Sequence, residues 1–115
     1  MTTMSTHVLD VYHGTAASGV TITVSQLVNG MFNVVKTVVT NENGRCDEPL
    51  FTDAPIGTYE LLFHIGDYYK VRGVSLPEPA FLHEVPVRFS VAEADGHYHI
   101  PLIVSPWNYQ VYRGT

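Results

Sequence analysis

An alternation of apolar and polar residues with a period of two runs through nearly the whole chain, cut every few residues by glycine, proline or asparagine. Successive side chains of a strand point to opposite faces, so this spacing builds half-buried strands and gives a helix no continuous apolar stripe. In His7–Tyr12, His7, Leu9 and Val11 share one face and Val8, Asp10 and Tyr12 the other. His13–Gly19 reads as a turn region. Val20, Ile22 and Val24 then alternate with Thr21, Thr23 and Ser25. Asn29-Gly30 is a hairpin signal, because both residues tolerate positive φ, and Phe32–Thr40 reads as the returning strand. Asn43-Gly44 marks a second tight turn, and Pro49 interrupts a short edge segment within Cys46–Asp53. Thr58–Phe63, Val85–Val91, Tyr98–Val104 and Trp107–Tyr112 complete the strands. His64–Val71 fits one or two helical turns, and Pro77, Pro79 and Pro86 stop anything longer. Seven or eight short strands with one short helix predict an all-β, antiparallel β-sandwich, residues 1–115 forming a single domain.

Charge removes several functions. Six Lys and Arg stand against 11 Asp and Glu, with no basic cluster. Nucleic-acid affinity comes mostly from cations meeting phosphates, so nucleic acid is a poor partner, and a basic membrane-docking helix is absent. Cys46 is the only cysteine, which excludes an intramolecular disulfide and a multi-cysteine zinc site. The first residues show neither a basic nor an apolar leader pattern, and the expected compartment is the cytoplasm. Only 15% of residues are charged, which hints at surface covered by further subunits.

Histidine is the compositional anomaly, with six copies. On the penultimate strand Tyr98, Ile100, Leu102 and Val104 form an apolar face and are the natural core. His97, His99, Pro101 and Ile103 are left on the other face. His7, beside Leu9 and Val11, has a similar mixed setting, suited to a subunit interface or a ligand channel. His13, His64 and His83 read as ordinary surface histidines. The His97-x-His99 pair projects to one side but has no neighbouring set of ligands in sequence, so no metal site is expected. Arg45 follows the Asn43-Gly44 turn; it is either a solvated loop residue or an anchor for an anion or polarised carbonyl. No nucleophile motif is present, and Cys46 has no identifiable partner. Any enzymatic chemistry therefore points to water activated by imidazole.

Four segments taken together resemble one family, the 5-hydroxyisourate hydrolases, which are transthyretin-like enzymes of purine catabolism. They are Ser5-Thr-His-Val-Leu-Asp10, Thr40-Asn-Glu-Asn-Gly-Arg45, Gly57-Thr-Tyr-Glu-Leu61 and the run from His97 to Thr115, with Phe81–Phe89 fitting as well. The family ends in Tyr-Arg-Gly-Ser, and this chain ends in Tyr112-Arg113-Gly114-Thr115. The resemblance implies a transthyretin-like (prealbumin-like) sandwich and a homotetramer, a dimer of dimers with active sites in a channel between dimers. It implies catalytic roles for His7, Arg45 and His99, and substrate binding by Tyr112, Arg113, Gly114 and Thr115. These positions are altered in the hormone-carrying vertebrate transthyretins, and the retained His7, Arg45 and His99 favour an enzyme over the alternative, a transthyretin-like small-molecule carrier. Two departures stand out: Thr115 replaces the last serine, and Ala16-Ala17 replaces the usual Pro-Ala.

The implied reaction hydrolyses the ring amide between N1 and C6 of 5-hydroxyisourate, giving 2-oxo-4-hydroxy-4-carboxy-5-ureidoimidazoline in urate degradation. His99 is the expected base, with His7 as its partner or as proton donor to the leaving nitrogen, and Arg45 holds substrate and oxyanion. No metal or organic cofactor is required.

Overall fold

A computed structural model describes residues 1–115. The strands are β1 (Thr3–Asp10), β2 (Thr15–Ala16), β3 (Thr21–Val28), β4 (Met31–Val39), β5 (Phe51–Thr52), β6 (Gly57–Phe63), β7 (Val85–Val91), β8 (His97–Val104) and β9 (Tyr109–Val111), with one helix, α1 (Ile65–Val71), after β6. One sheet runs β2-β1-β8-β9, with β5 also paired to β1; the other runs β4-β3-β6-β7. The two sheets close on a core of 22 buried apolar residues. This is the expected β-sandwich, with nine strands of which β2 and β5 are only two residues long.

The alternation explains the layering. Met4, Thr6, Val8 and Asp10 of β1 are buried, and so are Tyr98, Ile100, Leu102 and Val104 of β8. Burying a Val or Leu side chain is worth roughly 1.5–3 kcal/mol, so this face is fixed inward and the residues between are left outside. Asn29 and Gly30 both take positive φ, 53° and 79°, and close the β3–β4 hairpin as their sequence requires.

Two features depart from expectation. The first strand starts earlier and ends at Asp10, so Val11 and Tyr12 lie in a turn and are exposed. The second is the centre of the first sheet: β1 and β8 run parallel, in register from Thr3 opposite His97 to Asp10 opposite Val104. All other pairings are antiparallel. Parallel neighbours need a long crossover, and here nearly the whole second sheet supplies it. No helix is long and apolar enough to cross a membrane.

Asp10 ends β1 inside the protein, only 1% exposed. Burial alone would raise its pKa. Hydrogen bonds from His13 Nδ1 (2.6 Å), Tyr68 Oη (2.8 Å) and Tyr69 Oη (2.8 Å) outweigh burial and hold the carboxyl below its ordinary value. His13 is thus part of a structural network that ties β1 to α1. His64 likewise meets Thr23 Oγ1 (3.0 Å) and Glu84 (3.4 Å), and the His83 carbonyl accepts from the Gly66 N–H (2.9 Å).

Candidate active site

Parallel register brings the outward residues of β1 and β8 side by side. Thr3, Ser5 and His7 stand opposite His97, His99 and Pro101. Ser5 Oγ lies 2.8 Å from His99 Nδ1, which fixes the ring and leaves Nε2 free. His99 is half-buried; partial burial first, then the positive charge of Arg45, with His97 and His7 beside it, hold its imidazole below the usual histidine value. An imidazole held this way stays neutral to lower pH than a free histidine.

Arg45 arrives from the loop after β4, and that loop is tightly built. Asn41 Oδ1 accepts from the Asn43 N–H (2.9 Å) and the Arg45 N–H (3.2 Å). The Asn41 N–H donates to the Arg45 carbonyl (2.7 Å). Gly44 takes φ of 74°, and a Cβ there would stand 2.5 Å from the Val8 carbonyl oxygen. Only glycine permits this approach, which also lets the Val8 N–H donate to the Gly44 carbonyl (2.9 Å). The loop is thereby stapled to β1, and Arg45 Nη2 comes to 3.4 Å from His7 Nδ1. A guanidinium only donates, so His7 Nδ1 accepts and its ring hydrogen lies on Nε2. A cleft beside this pair is lined by Ser5, Arg45, Asp47 and Glu48.

The C-terminal tetrapeptide divides. Gly114 bridges to β8, its N–H donating to the His99 carbonyl (2.8 Å). A Cβ at Gly114 would stand 2.6 Å from His99 Cδ2, so the chain end packs against the imidazole. Thr115 follows, exposed. Arg113 turns to the other side of the sheet, where its guanidinium stacks over the Tyr98 ring at 4.1 Å and lies 3.7 Å from Glu93. Tyr112 lines a separate apolar groove with Phe89, Tyr98 and Val111, on the side of β8 away from His99. Within one chain, then, His7, Arg45, His99 and Gly114 gather, while Tyr112 and Arg113 stand apart because Tyr98 faces the core side. Ser5 and His97 belong to the cluster too. The alternation put His97 on the face of His99, but Ser5 joins only through the pairing of strands some ninety positions apart.

A half-buried imidazole, a fixed guanidinium and a second imidazole on the open face of a β-sandwich make a site of the class that can activate water for hydrolysis. Sequence and structural comparison give the family. The chain belongs to the HIUase/Transthyretin family, whose model matches residues 4–114. It is 51% identical over 114 residues to a 5-hydroxyisourate hydrolase of Ralstonia nicotianae, covering 97% of each chain. The fold matches the 5-hydroxyisourate hydrolase of Klebsiella pneumoniae with a TM-score of 0.84 at 30% identity, over 100% of both chains. It also matches sea bream transthyretin in complex with thyroxine with a TM-score of 0.86, again at 30% identity, covering 97% of this chain and 94% of that one.

Proposed function

We propose that this chain hydrolyses 5-hydroxyisourate to 2-oxo-4-hydroxy-4-carboxy-5-ureidoimidazoline, a step of urate degradation, with residues 1–115 acting as one transthyretin-like domain. The observation that carries this reading is the convergence of Arg45 on His7 and of Ser5 on His99 across one sheet face. A small-molecule carrier needs none of these polar groups in its channel. Relatives bearing the name of this hydrolase over nearly full length support the same conclusion.

In the reaction, His99 Nε2 takes a proton from water as the oxygen attacks the ring carbonyl. Arg45 offers two N–H groups in one plane and stabilises the oxyanion that forms. His99 then returns the proton to the leaving nitrogen as the carbon–nitrogen bond breaks, and the acid released ionises. His7 acts as the partner, presenting its Nε2 hydrogen to the substrate while Nδ1 stays on Arg45. Thr115 supplies a hydroxyl near His99, Gly114 supports the ring, and Tyr112 and Arg113 hold the chain end in place.

The working form is a homotetramer, a dimer of dimers. Leu27, Val28, Met31, Val34 and Val35 of the β3–β4 hairpin are exposed and apolar, as an interface requires. Light scattering at micromolar concentration should return four times the chain mass. A reducing cytoplasm suits the single unpaired Cys46.

The decisive assay generates 5-hydroxyisourate in place from urate and urate oxidase and follows its decay. Faster decay with the protein present, giving an optically active product, is the expected result. Decay at the spontaneous rate with a folded tetramer would overturn the assignment.

A further inference from the structure

Thr3, Ser5 and His97 sit beside the base without a role in the steps above. Ser5 Oγ, 2.8 Å from His99 Nδ1, is also 3.1 Å from His97 Nε2, and Thr3 Oγ1 is 2.7 Å from His97 Nδ1. The two rings are nearly parallel, 12° apart in plane, with centroids at 6.4 Å. A serine hydroxyl carries one hydrogen, so it donates to one imidazole and accepts from the other. When His99 Nε2 is free to act as base, its ring hydrogen is on Nδ1 and is donated to Ser5. Ser5 then donates to His97 Nε2, and His97 Nδ1–H donates to Thr3. One orientation satisfies all three contacts and leaves the lone pair of His99 Nε2 toward the substrate side.

The charge on His99 is the difficulty of the reaction. After it takes the water proton it becomes an imidazolium, half-buried, with Arg45, His7 and His97 as its titratable or charged neighbours. His97 is exposed and holds a cation at lower cost.

We propose that Ser5 and His97 form a reversible proton store for His99, with His97 a positioning residue that acts through Ser5. As His99 Nε2 takes the water proton, the Nδ1 proton passes to Ser5 Oγ and the Ser5 hydroxyl proton passes to His97 Nε2. His99 is left neutral with its hydrogen on Nε2, and the positive charge rests on His97. When the carbon–nitrogen bond breaks, His99 Nε2–H goes to the leaving nitrogen and the two transfers run backward. Each turnover ends with the protons where they began, so the store consumes nothing.

The proposal rests on the hydrolase reading, and the experiment separates the two. Steady-state rates with 5-hydroxyisourate are measured for the wild type, Ser5→Ala, Ser5→Thr, His97→Ala and His97→Gln, each checked for fold by circular dichroism. His97→Ala and His97→Gln should lower kcat about tenfold with KM little changed, since His97 touches no reacting atom, and Ser5→Ala, which also releases the His99 ring, should lower kcat at least about tenfold. Ser5→Thr should keep most of the rate because it keeps the hydroxyl. Added imidazole should restore the rate of His97→Ala with a saturating concentration dependence, and it should not restore Ser5→Ala. A structural role for His97 would not respond to imidazole. Folded Ser5→Ala and His97→Gln proteins within twofold of the wild-type kcat, or a slow His97→Ala that imidazole leaves slow, would overturn the store alone. A wild type that does not accelerate decay would overturn the hydrolase reading and the store with it.

Discussion

Adding one methyl group at Gly114 should disable His99 without touching the fold. The backbone at Gly114 is not in the left-handed region, so alanine brings no conformational strain there. What it brings is a Cβ at 2.6 Å from His99 Cδ2 and 3.3 Å from both His99 Cγ and Pro101 Cγ. Carbon–carbon contact is comfortable from about 3.5 Å, so something must move by roughly 0.9 Å. Pro101 is a buried strand residue paired with His7 and cannot yield. The imidazole can turn away, which breaks its hydrogen bond to Ser5, or the chain end can lift and lose its bridge to the His99 carbonyl. Misplacing a catalytic group by about 1 Å costs on the order of a hundredfold in rate, equivalent to about 2.7 kcal/mol of transition-state stabilisation. The thermal midpoint should move little, because the last residues carry few contacts. The assay is the decay of 5-hydroxyisourate generated in place, with Thr115→Ala as the companion that trims the chain end without crowding the ring. Gly114→Ala at half the wild-type rate or better, in a folded protein, would refute the packing argument and with it the placement of His99 as base.

Other perturbations test the remaining groups. His99→Ala should lower kcat by on the order of a hundredfold or more, read in the same decay assay. Arg45→Gln should raise KM and lower kcat together; it also removes a positive neighbour of His99, so the acid limb of kcat/KM, expected in the wild type below the free-histidine value, should move up in pH. A limb that stays in place would mean Arg45 is not felt at His99. Asp10→Ala leaves the buried Tyr68 hydroxyl without a partner, while Tyr69 keeps the Val104 carbonyl at 3.2 Å; urea unfolding should show a loss of about 2–4 kcal/mol, and Asp10→Asn a smaller one. Because the folded pKa of Asp10 is lowered, its contribution is complete above the unfolded value of about 4 and is lost as pH falls through the folded one, so acid unfolding monitored by fluorescence should begin at higher pH in a variant lacking it.

Much of this was legible from spacing. Tyr98, Ile100, Leu102 and Val104 face the core and His99 does not, as the alternation required. Asn29-Gly30 turns the chain where it should, and Asn43-Gly44 carries Arg45 to the site. Pairing was not legible, because a period of two says which face a residue takes and not which strand lies beside it. Ser5 therefore carried no signal until β1 met β8 in parallel. The same limit hid the Asp10 network: its partners Tyr68 and Tyr69 are 58 and 59 residues away, on a helix whose span was foreseen but whose packing against β1 was not. Arg113 turns away from the site because Tyr98 offers its ring on the core side, a contact no local pattern contains.

The site and the core are consequences of one register. With Ser5 opposite His99, the inward set Thr6, Val8, Ile100 and Leu102 fills the sandwich, and the outward set Ser5, His7, His97 and His99 meets solvent. A slip of one residue in β8 would bury His97 and His99 and expel Tyr98, Ile100 and Leu102, at a cost of several buried side chains worth roughly 1.5–3 kcal/mol each. The hydrophobic penalty for slipping is what holds Ser5 to within hydrogen-bonding distance of both imidazoles. The precision of the polar face is thus set by the apolar face behind it, and Gly44 and Gly114 are the two points where another backbone segment comes close enough to that sheet to complete the arrangement.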